Sequence, residues 1–117
     1  MKSENIVQTK SYDFAFKIIK IYKYLSQDKR EFVLSKQLLR SGTSIGANIE
    51  ESIGGQSKAD FFAKITIAYK ETRETKYWIR LLRDSDYLTI EHSNDLLNDA
   101  EELLKIIGSI QKSIRNS

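Results

Sequence analysis

The stretch that decides the fold is QLLRSGTSIGANIEE, residues 37–51, in which every side chain from Ser41 to Ala47 except Ile45 is small. Two of these residues are glycines, and an interior glycine costs a helix about 1 kcal/mol relative to alanine. The apolar residues around them nevertheless keep the spacing of a single helix face, and Ser41 and Gly42 fall on that face. The residues that set it are Leu34, Leu38, Ile45, Ile49 and Ile53. The pattern predicts a long helix whose buried face is small enough for a second helix to approach closely.

Composition narrows the class of protein. The 117 residues include no proline, no cysteine and a single histidine, His92. Because interior proline breaks helices, its absence leaves long helices open along the whole chain and favours an all-α fold. A chain without cysteine has neither a disulfide nor a thiolate zinc site, and one histidine cannot form a metal-binding histidine cluster. We therefore expect no cofactor, no metal, no membrane span and a cytoplasmic location.

Hydrophobic periodicity predicts four helices. Their approximate bounds are 12–25, 29–53, 58–84 and 90–114. The residues expected to cap their N-termini are Ser11, Ser26 or Asp28, Ser57 and Thr89. We expect residues 1–10 to form a flexible N-terminal arm and residues 11–117 to form a single domain. Because only short turns separate the helices, the sequence predicts an antiparallel up-down-up-down four-helix bundle.

The third predicted helix carries two apolar faces. One face runs through Phe61, Ile65 and Ile79, and a second lies roughly on the other side. The second face consists of Ile67, Tyr77, Trp78 and Leu81. A helix with two apolar faces must satisfy two partners. Either the second face is an oligomer interface, or this helix is central within its own bundle, and both alternatives stay open.

The central helix also resembles a known family. The run Arg40–Ile45, RSGTSI, followed by Asn48, Ile49 and Glu51, resembles the "RS–SI–NI–E" signature of the 23S rRNA intervening-sequence family of bacterial four-helix-bundle proteins. The resemblance covers about residues 12–112 of the chain. The residues that we take as the structural signature are Ser44, Ile45, Asn48, Ile49 and Glu51.

This resemblance implies an antiparallel bundle that assembles as a ring-shaped homopentamer, in a family whose members mostly have no known activity. A similar bundle is the accessory protein of diversity-generating retroelements, which works with a reverse transcriptase and binds nucleic acid through a basic surface. The present chain departs from the family pattern at two positions, because Gly46 stands where many members have proline and Ser52 where many have glycine. Both departures affect local helix geometry.

Polar residues near the buried face allow a structural and a functional interpretation. A buried amide needs hydrogen-bond partners, so we expect Asn48 to fix helix register or subunit contacts, and a binding role is the alternative. Glu51 and Glu74 could suggest a pair of carboxylates for acid–base chemistry. No nucleophile, metal ligand set or companion histidine stands at a recognisable spacing from them, so we expect no enzyme.

Charge is distributed unevenly along the chain. Residues 1–45 contain nine Lys or Arg and four Asp or Glu, a net charge of +5, whereas residues 46–117 have a net charge of −2. The first hypothesis is a non-enzymatic, homo-oligomeric and pentameric scaffold or interaction protein. The alternative is an accessory protein that binds RNA or DNA through a basic surface of the ring. The cations proposed for that contact are Lys17, Lys20, Lys23, Lys29, Arg30, Lys36 and Arg40.

Overall fold

A computed structural model describes the backbone of residues 2–116 and the side chains of residues 6–116. Residues 1 and 117, the outer ends of the predicted arm and domain, lie outside the described residues. Four α-helices account for nearly all of the described chain. They are α1 (Lys2–Gln27), α2 (Leu34–Ile53), α3 (Lys58–Asp84) and α4 (Ile90–Arg115). The predicted all-α, four-helix class is confirmed.

The four helices form a square in which each helix packs against two neighbours. α1 contacts α2 and α4, and α3 contacts the same two helices, so α1 and α3 occupy opposite corners. Contacts across each side of the square run in opposite sequence directions, since Lys10 of α1 meets Glu102 of α4 while Lys17 meets Asp95. The same reversal holds for α1–α2 (Gln8 with Glu50, Ile18 with Gly42), α2–α3 (Ser41 with Thr75, Glu51 with Lys64) and α3–α4 (Thr66 with Gln111, Lys76 with Glu101). The bundle is therefore antiparallel.

The predicted close approach of a second helix occurs between α2 and α1. A methyl group added at Gly42 would lie 2.8 Å from Cγ1 and 2.9 Å from Cγ2 of Ile18, which is itself fully buried. One turn later, a methyl group at Gly46 would lie 3.4 Å from the carbonyl oxygen of Ser11, an ordinary contact distance. Gly42 is therefore the tightest point of the α1–α2 contact.

Small hydroxyl residues continue the buried face of α2 toward α3. The Thr75 hydroxyl donates to Ser41 Oγ at 2.9 Å and to the Glu71 carbonyl at 2.7 Å, and both hydroxyl side chains are fully buried. Asn48 behaves differently from expectation. Its amide donates to the carbonyl oxygen and to Oγ of Ser44, at 2.9 and 3.1 Å, so both hydrogen bonds stay within α2. Asn48 therefore contributes no interhelical hydrogen bond among the described residues, although it is buried as predicted.

The N-terminal arm predicted for residues 1–10 is wrong for the described part of that segment, because α1 begins at Lys2. Val7 is only 1% exposed and packs in the same core as Phe14 and Ile18. Ser11, the expected N-cap, lies inside the helix, where its hydroxyl donates to the carbonyl oxygen of Gln8 at 3.2 Å. The spacing of Val7, Ser11, Phe14 and Ile18 extends the buried stripe by more than a turn toward the N-terminus.

The start of α2 also differs from expectation, at Leu34 instead of residue 29. Arg30 adopts a φ of 56°, in the left-handed region, and this turns the chain out of α1. Glu31 then caps the new helix. Its carboxylate accepts hydrogen bonds from the backbone N–H groups of Val33, Leu34 and Ser35 at 3.2, 3.0 and 2.7 Å. Neither Ser26 nor Asp28 is the cap, because both precede the turn.

The other two caps are as predicted. Ser57 Oγ accepts from the N–H of Asp60, and Thr89 Oγ1 accepts from the N–H of His92, each at 3.1 Å. These contacts begin α3 at Lys58 and α4 at Ile90, the residues expected from the sequence.

Replacing Gly42 by alanine should destabilise the bundle, whereas the same change at Gly46 should not. Alanine gains about 1 kcal/mol of helix propensity at either position. At Gly42 the new methyl group must displace the buried Ile18 side chain, and overpacking of this kind costs about 1–3 kcal/mol. We therefore expect Gly42→Ala to lower the free energy of unfolding in urea and Gly46→Ala to leave it unchanged or raise it. Equal effects of the two variants would contradict a tight contact at Gly42.

Removing the Glu31 carboxylate should destabilise the fold in a pH-dependent way. Burial alone would raise the pKa of Glu31, but hydrogen bonds from the N–H groups of Leu34, Ser35 and Val33 outweigh it and hold that pKa below its ordinary value. Because the folded-state pKa is depressed, this stabilisation is complete above the unfolded-state pKa of about 4.3 and is lost as pH falls through the folded-state value.

We expect Glu31→Gln to cost about 1–2 kcal/mol at pH 7, the usual range for a lost helix cap. The difference from the wild type should shrink below about pH 4, where the wild-type carboxylate also takes up its proton. Thermal unfolding at pH 7, 5 and 3 measures this trend. The control is Asp13→Asn, which removes one exposed carboxylate that has no ion pair among residues 6–116. A constant difference between wild type and Glu31→Gln across this range would contradict the cap.

Candidate functional surfaces

The seven cations predicted to contact nucleic acid do not form one free surface. Lys17 lies between two carboxylates of α4, 3.1 Å from Asp95 and 2.8 Å from Asp99. Its hydrogen bonds to Asp99 and Asp95 hold the pKa of Lys17 above its ordinary value. Arg40 is paired with Glu71 at 3.2 Å and with Glu74, both on α3. Lys17 therefore faces α4 and Arg40 faces α3, on opposite sides of the α1–α2 pair.

The other five predicted cations are exposed at the end of α1, in the connection and at the start of α2. Three of them lie over aromatic rings. Lys20 sits 4.8 Å from the centre of the Phe16 ring, Lys29 sits 5.9 Å from Tyr24, and Arg30 sits 5.7 Å from Phe32. Lys23 and Lys36 are the two of the seven that have neither an ion pair nor a ring contact within residues 6–116. Two isolated lysines are a weak basis for a nucleic-acid surface.

A more concentrated basic surface lies on α3, where an open groove of about 540 Å³ borders α4. We call it the α3 groove. Its lining residues are Tyr69, Lys70, Arg73, Glu74, Lys76, Tyr77, Arg80 and Leu104. Four of these side chains are cationic and one is a carboxylate. The sequence shows these cations at intervals of three or four residues, but only the fold shows that they share a groove.

The charges of the α3 groove are only partly compensated from within the chain. The carboxylate of Glu74 is already paired with Arg40, and it also accepts from the indole N–H of Trp78 at 2.9 Å. Lys76 is paired with Glu101 of α4. The remaining cations, Lys70, Arg73 and Arg80, are exposed and have no ion pair among residues 6–116. The groove therefore presents three free cations.

The residues predicted as an oligomer interface divide into two sets. Ile67 and Tyr77 are exposed, at 40% and 50%. Trp78 and Leu81 are half-buried, and the Trp78 ring packs against the core and edge-on against Tyr77, with ring centres 5.1 Å apart. Because α3 packs on both α2 and α4, part of its second apolar face is satisfied within the bundle. The interface on α3 stays a prediction.

The largest row of exposed apolar side chains on one helix is on α1, and the sequence patterns did not single it out. Tyr12 is 69% exposed, Phe16 is 53% exposed and Ile19 is 38% exposed. Their spacing of four and three residues places them along one line of the helix surface. We call these three residues the α1 stripe. It faces away from Phe14 and Ile18, which fix the buried side of the same helix.

Neither of the two glutamates considered for acid–base chemistry belongs to a site. Glu51 is exposed and forms an ion pair with Lys64 at 3.6 Å, and Glu74 lies ten residues beyond Lys64 on α3. Ten helical residues span about 15 Å, so the two carboxylates do not act together. Residues 6–116 contain no group of three or more metal-ligating side chains. Within the described chain, no helix is both long and apolar enough to cross a membrane.

The signature residues serve the packing of α2. Ile45 and Ile49 are buried, Ser44 accepts from Asn48, and Glu51 pairs with α3. These roles are structural, and none of these side chains converges with another on a cavity.

A comparison with known proteins agrees with this architecture. A family profile described as 23S rRNA-intervening sequence protein matches residues 3–109. The fold is also that of a crystal structure from Bacteroides thetaiotaomicron, described as a protein with unknown function from the S23 ribosomal protein family. The two chains are 49% identical, the alignment covers 94% of this chain and 98% of that one, and the TM-score is 0.93. No curated protein matches the chain.

The family match extends from the first turn of α1 into the second half of α4. It contains the whole small-residue face of α2 together with the residues of α1 and α3 that pack on it. On this evidence, the chain belongs to the 23S rRNA-intervening sequence protein family.

Proposed function

We propose that this protein is a non-catalytic helical-bundle scaffold that associates with copies of itself, and that the α1 stripe is a subunit contact. The observation that carries this proposal is the exposure of Tyr12, Phe16 and Ile19 along one line of α1. Single exposed apolar residues are common on monomers, but a contiguous apolar row on a helix is typical of an interaction surface. Two of the three are aromatic, and aromatic residues are enriched among the anchors of interfaces.

The α1 stripe is a better subunit contact than the exposed residues of α3. Tyr77 lies in the α3 groove among Lys70, Arg73 and Arg80, three cations without a carboxylate partner in the described chain. Covering Tyr77 with another subunit would also remove these cations from water, and desolvating unpaired charge is costly. The α1 stripe carries no such cost, because the neighbouring Lys20 can keep its ammonium group in water above the Phe16 ring.

The absence of converging chemical groups supports a non-catalytic role. The carboxylates that line the described surfaces are held in ion pairs with Lys or Arg. A general acid or base needs a partner group and a position for the reacting atom within hydrogen-bond reach. The pentamer that the family resemblance implies remains the stoichiometry we propose. Its closed ring requires the stripe of one subunit to meet a different patch on the next.

A charge placed in the α1 stripe should dissociate the assembly. In light scattering coupled to size exclusion, five copies of a 13.6 kDa chain give a mass of about 68 kDa. We expect this mass for the wild type and a much smaller one for Phe16→Glu, because a carboxylate buried in an apolar contact is strongly unfavourable.

The matched control is Tyr77→Glu, the same charge introduced at an aromatic residue of similar exposure on α3. We expect it to keep the wild-type mass. A monomeric wild type at micromolar concentration would contradict self-association. Dissociation by Tyr77→Glu with an intact assembly of Phe16→Glu would place the contact on α3 instead.

A further inference from the structure

We propose that the α3 groove binds single-stranded nucleic acid, with Lys70, Arg73 and Arg80 on the phosphates and Tyr77 stacked on a base. This site lies on a different helix from the cations that the sequence suggested. It adds a ligand to the proposed scaffold and does not depend on how the subunits associate.

The first argument is charge. Exposed cations of this bundle are commonly paired with carboxylates of a neighbouring helix, as Lys10, Lys17 and Lys64 are. The three free cations of the α3 groove lack such partners among residues 6–116. The nearest carboxylates are occupied elsewhere, since Glu74 is held by Arg40 and Asp84 by Arg83, whose side chain bonds it at 2.8 and 3.3 Å. The groove therefore complements an anion that the chain itself does not supply.

The second argument is extent. Lys70, Arg73 and Arg80 project from one side of α3, because intervals of three and seven residues return close to the same helix face. Ten residues of helix separate the first from the last, about 15 Å along the axis. A single phosphate cannot reach cations spread over this length, whereas a chain of phosphates can. The row therefore favours a linear polyanion.

The third argument selects nucleic acid in its single-stranded form. Tyr77 is half-exposed between the cations, and Tyr69 lines the same groove. Aromatic side chains beside a basic groove bind single strands by stacking on unpaired bases, largely without regard to sequence. Bases in a duplex are already stacked on one another and do not offer this contact.

The groove and the α1 stripe are compatible in one particle. α1 and α3 occupy opposite corners of the square and do not contact each other. A subunit contact through the α1 stripe therefore leaves the α3 groove of the same subunit open. Each added subunit contributes another row of three cations.

The test is fluorescence anisotropy with labelled 20-nucleotide oligouridylate and oligodeoxythymidylate at about 20 mM salt. The variant Arg73→Gln/Arg80→Gln should weaken binding by roughly tenfold or more, because each lost phosphate contact also lowers the salt slope by about 0.7. Tyr77→Leu should weaken binding by roughly fivefold or more through lost stacking.

The matched control is Lys23→Gln/Lys36→Gln, which removes the same charge from the two free lysines of α1 and α2. We expect it to change binding by less than twofold. Thermal unfolding by circular dichroism shows that every variant is folded. Three results would overturn the proposal: no binding by the wild type at this salt, equal weakening by the two double variants, or unchanged binding by Tyr77→Leu together with equally tight binding of inorganic polyphosphate.

Discussion

The contact between Ile18 and the bare backbone of Gly42 is the constraint on which the rest of the bundle depends. A side chain at residue 42 would occupy the space of Ile18, so only glycine lets α1 and α2 come this close. The contact fixes the rotation of both helices about their axes. With Ile18 inward, α1 must turn the line of Tyr12 and Phe16 outward. With Gly42 facing α1, α2 directs Ser41 at Thr75 and Arg40 at the acidic side chains of α3.

This rotation of α2 also determines which charges remain available at the surface. Arg40 reaches across to α3 and takes Glu74, the one carboxylate that lines the α3 groove. Exposed ion pairs of this kind contribute little to stability, about 0–1 kcal/mol each. Their larger consequence is for recognition, because Glu74 no longer compensates the neighbouring Arg73. The packing of an apolar contact between α1 and α2 thus leads to a net positive surface on α3.

The sequence was sufficient for elements whose signal is local. Apolar spacing and the hydroxyl caps Ser57 and Thr89 predicted α3 and α4 almost to the residue, and the small side chains of α2 predicted close packing. The start of α2 was missed because Glu31 caps it from across a left-handed turn at Arg30, outside the usual cap position. The candidate surfaces were missed for another reason. Whether a lysine or arginine is free depends on carboxylates from other helices, and the sequence of one helix does not contain that information.

The central claim is that one bundle presents two independent surfaces, an apolar one on α1 for subunit contact and a basic one on α3 for nucleic acid. Native mass spectrometry of the wild-type protein mixed with 20-nucleotide oligouridylate tests this claim most directly, because it counts subunits and bound strands in the same ion. The account predicts particles that keep the subunit number of the free protein and carry bound strands. Strands found only on dissociated monomers would contradict it, because the two surfaces would then compete for the same face.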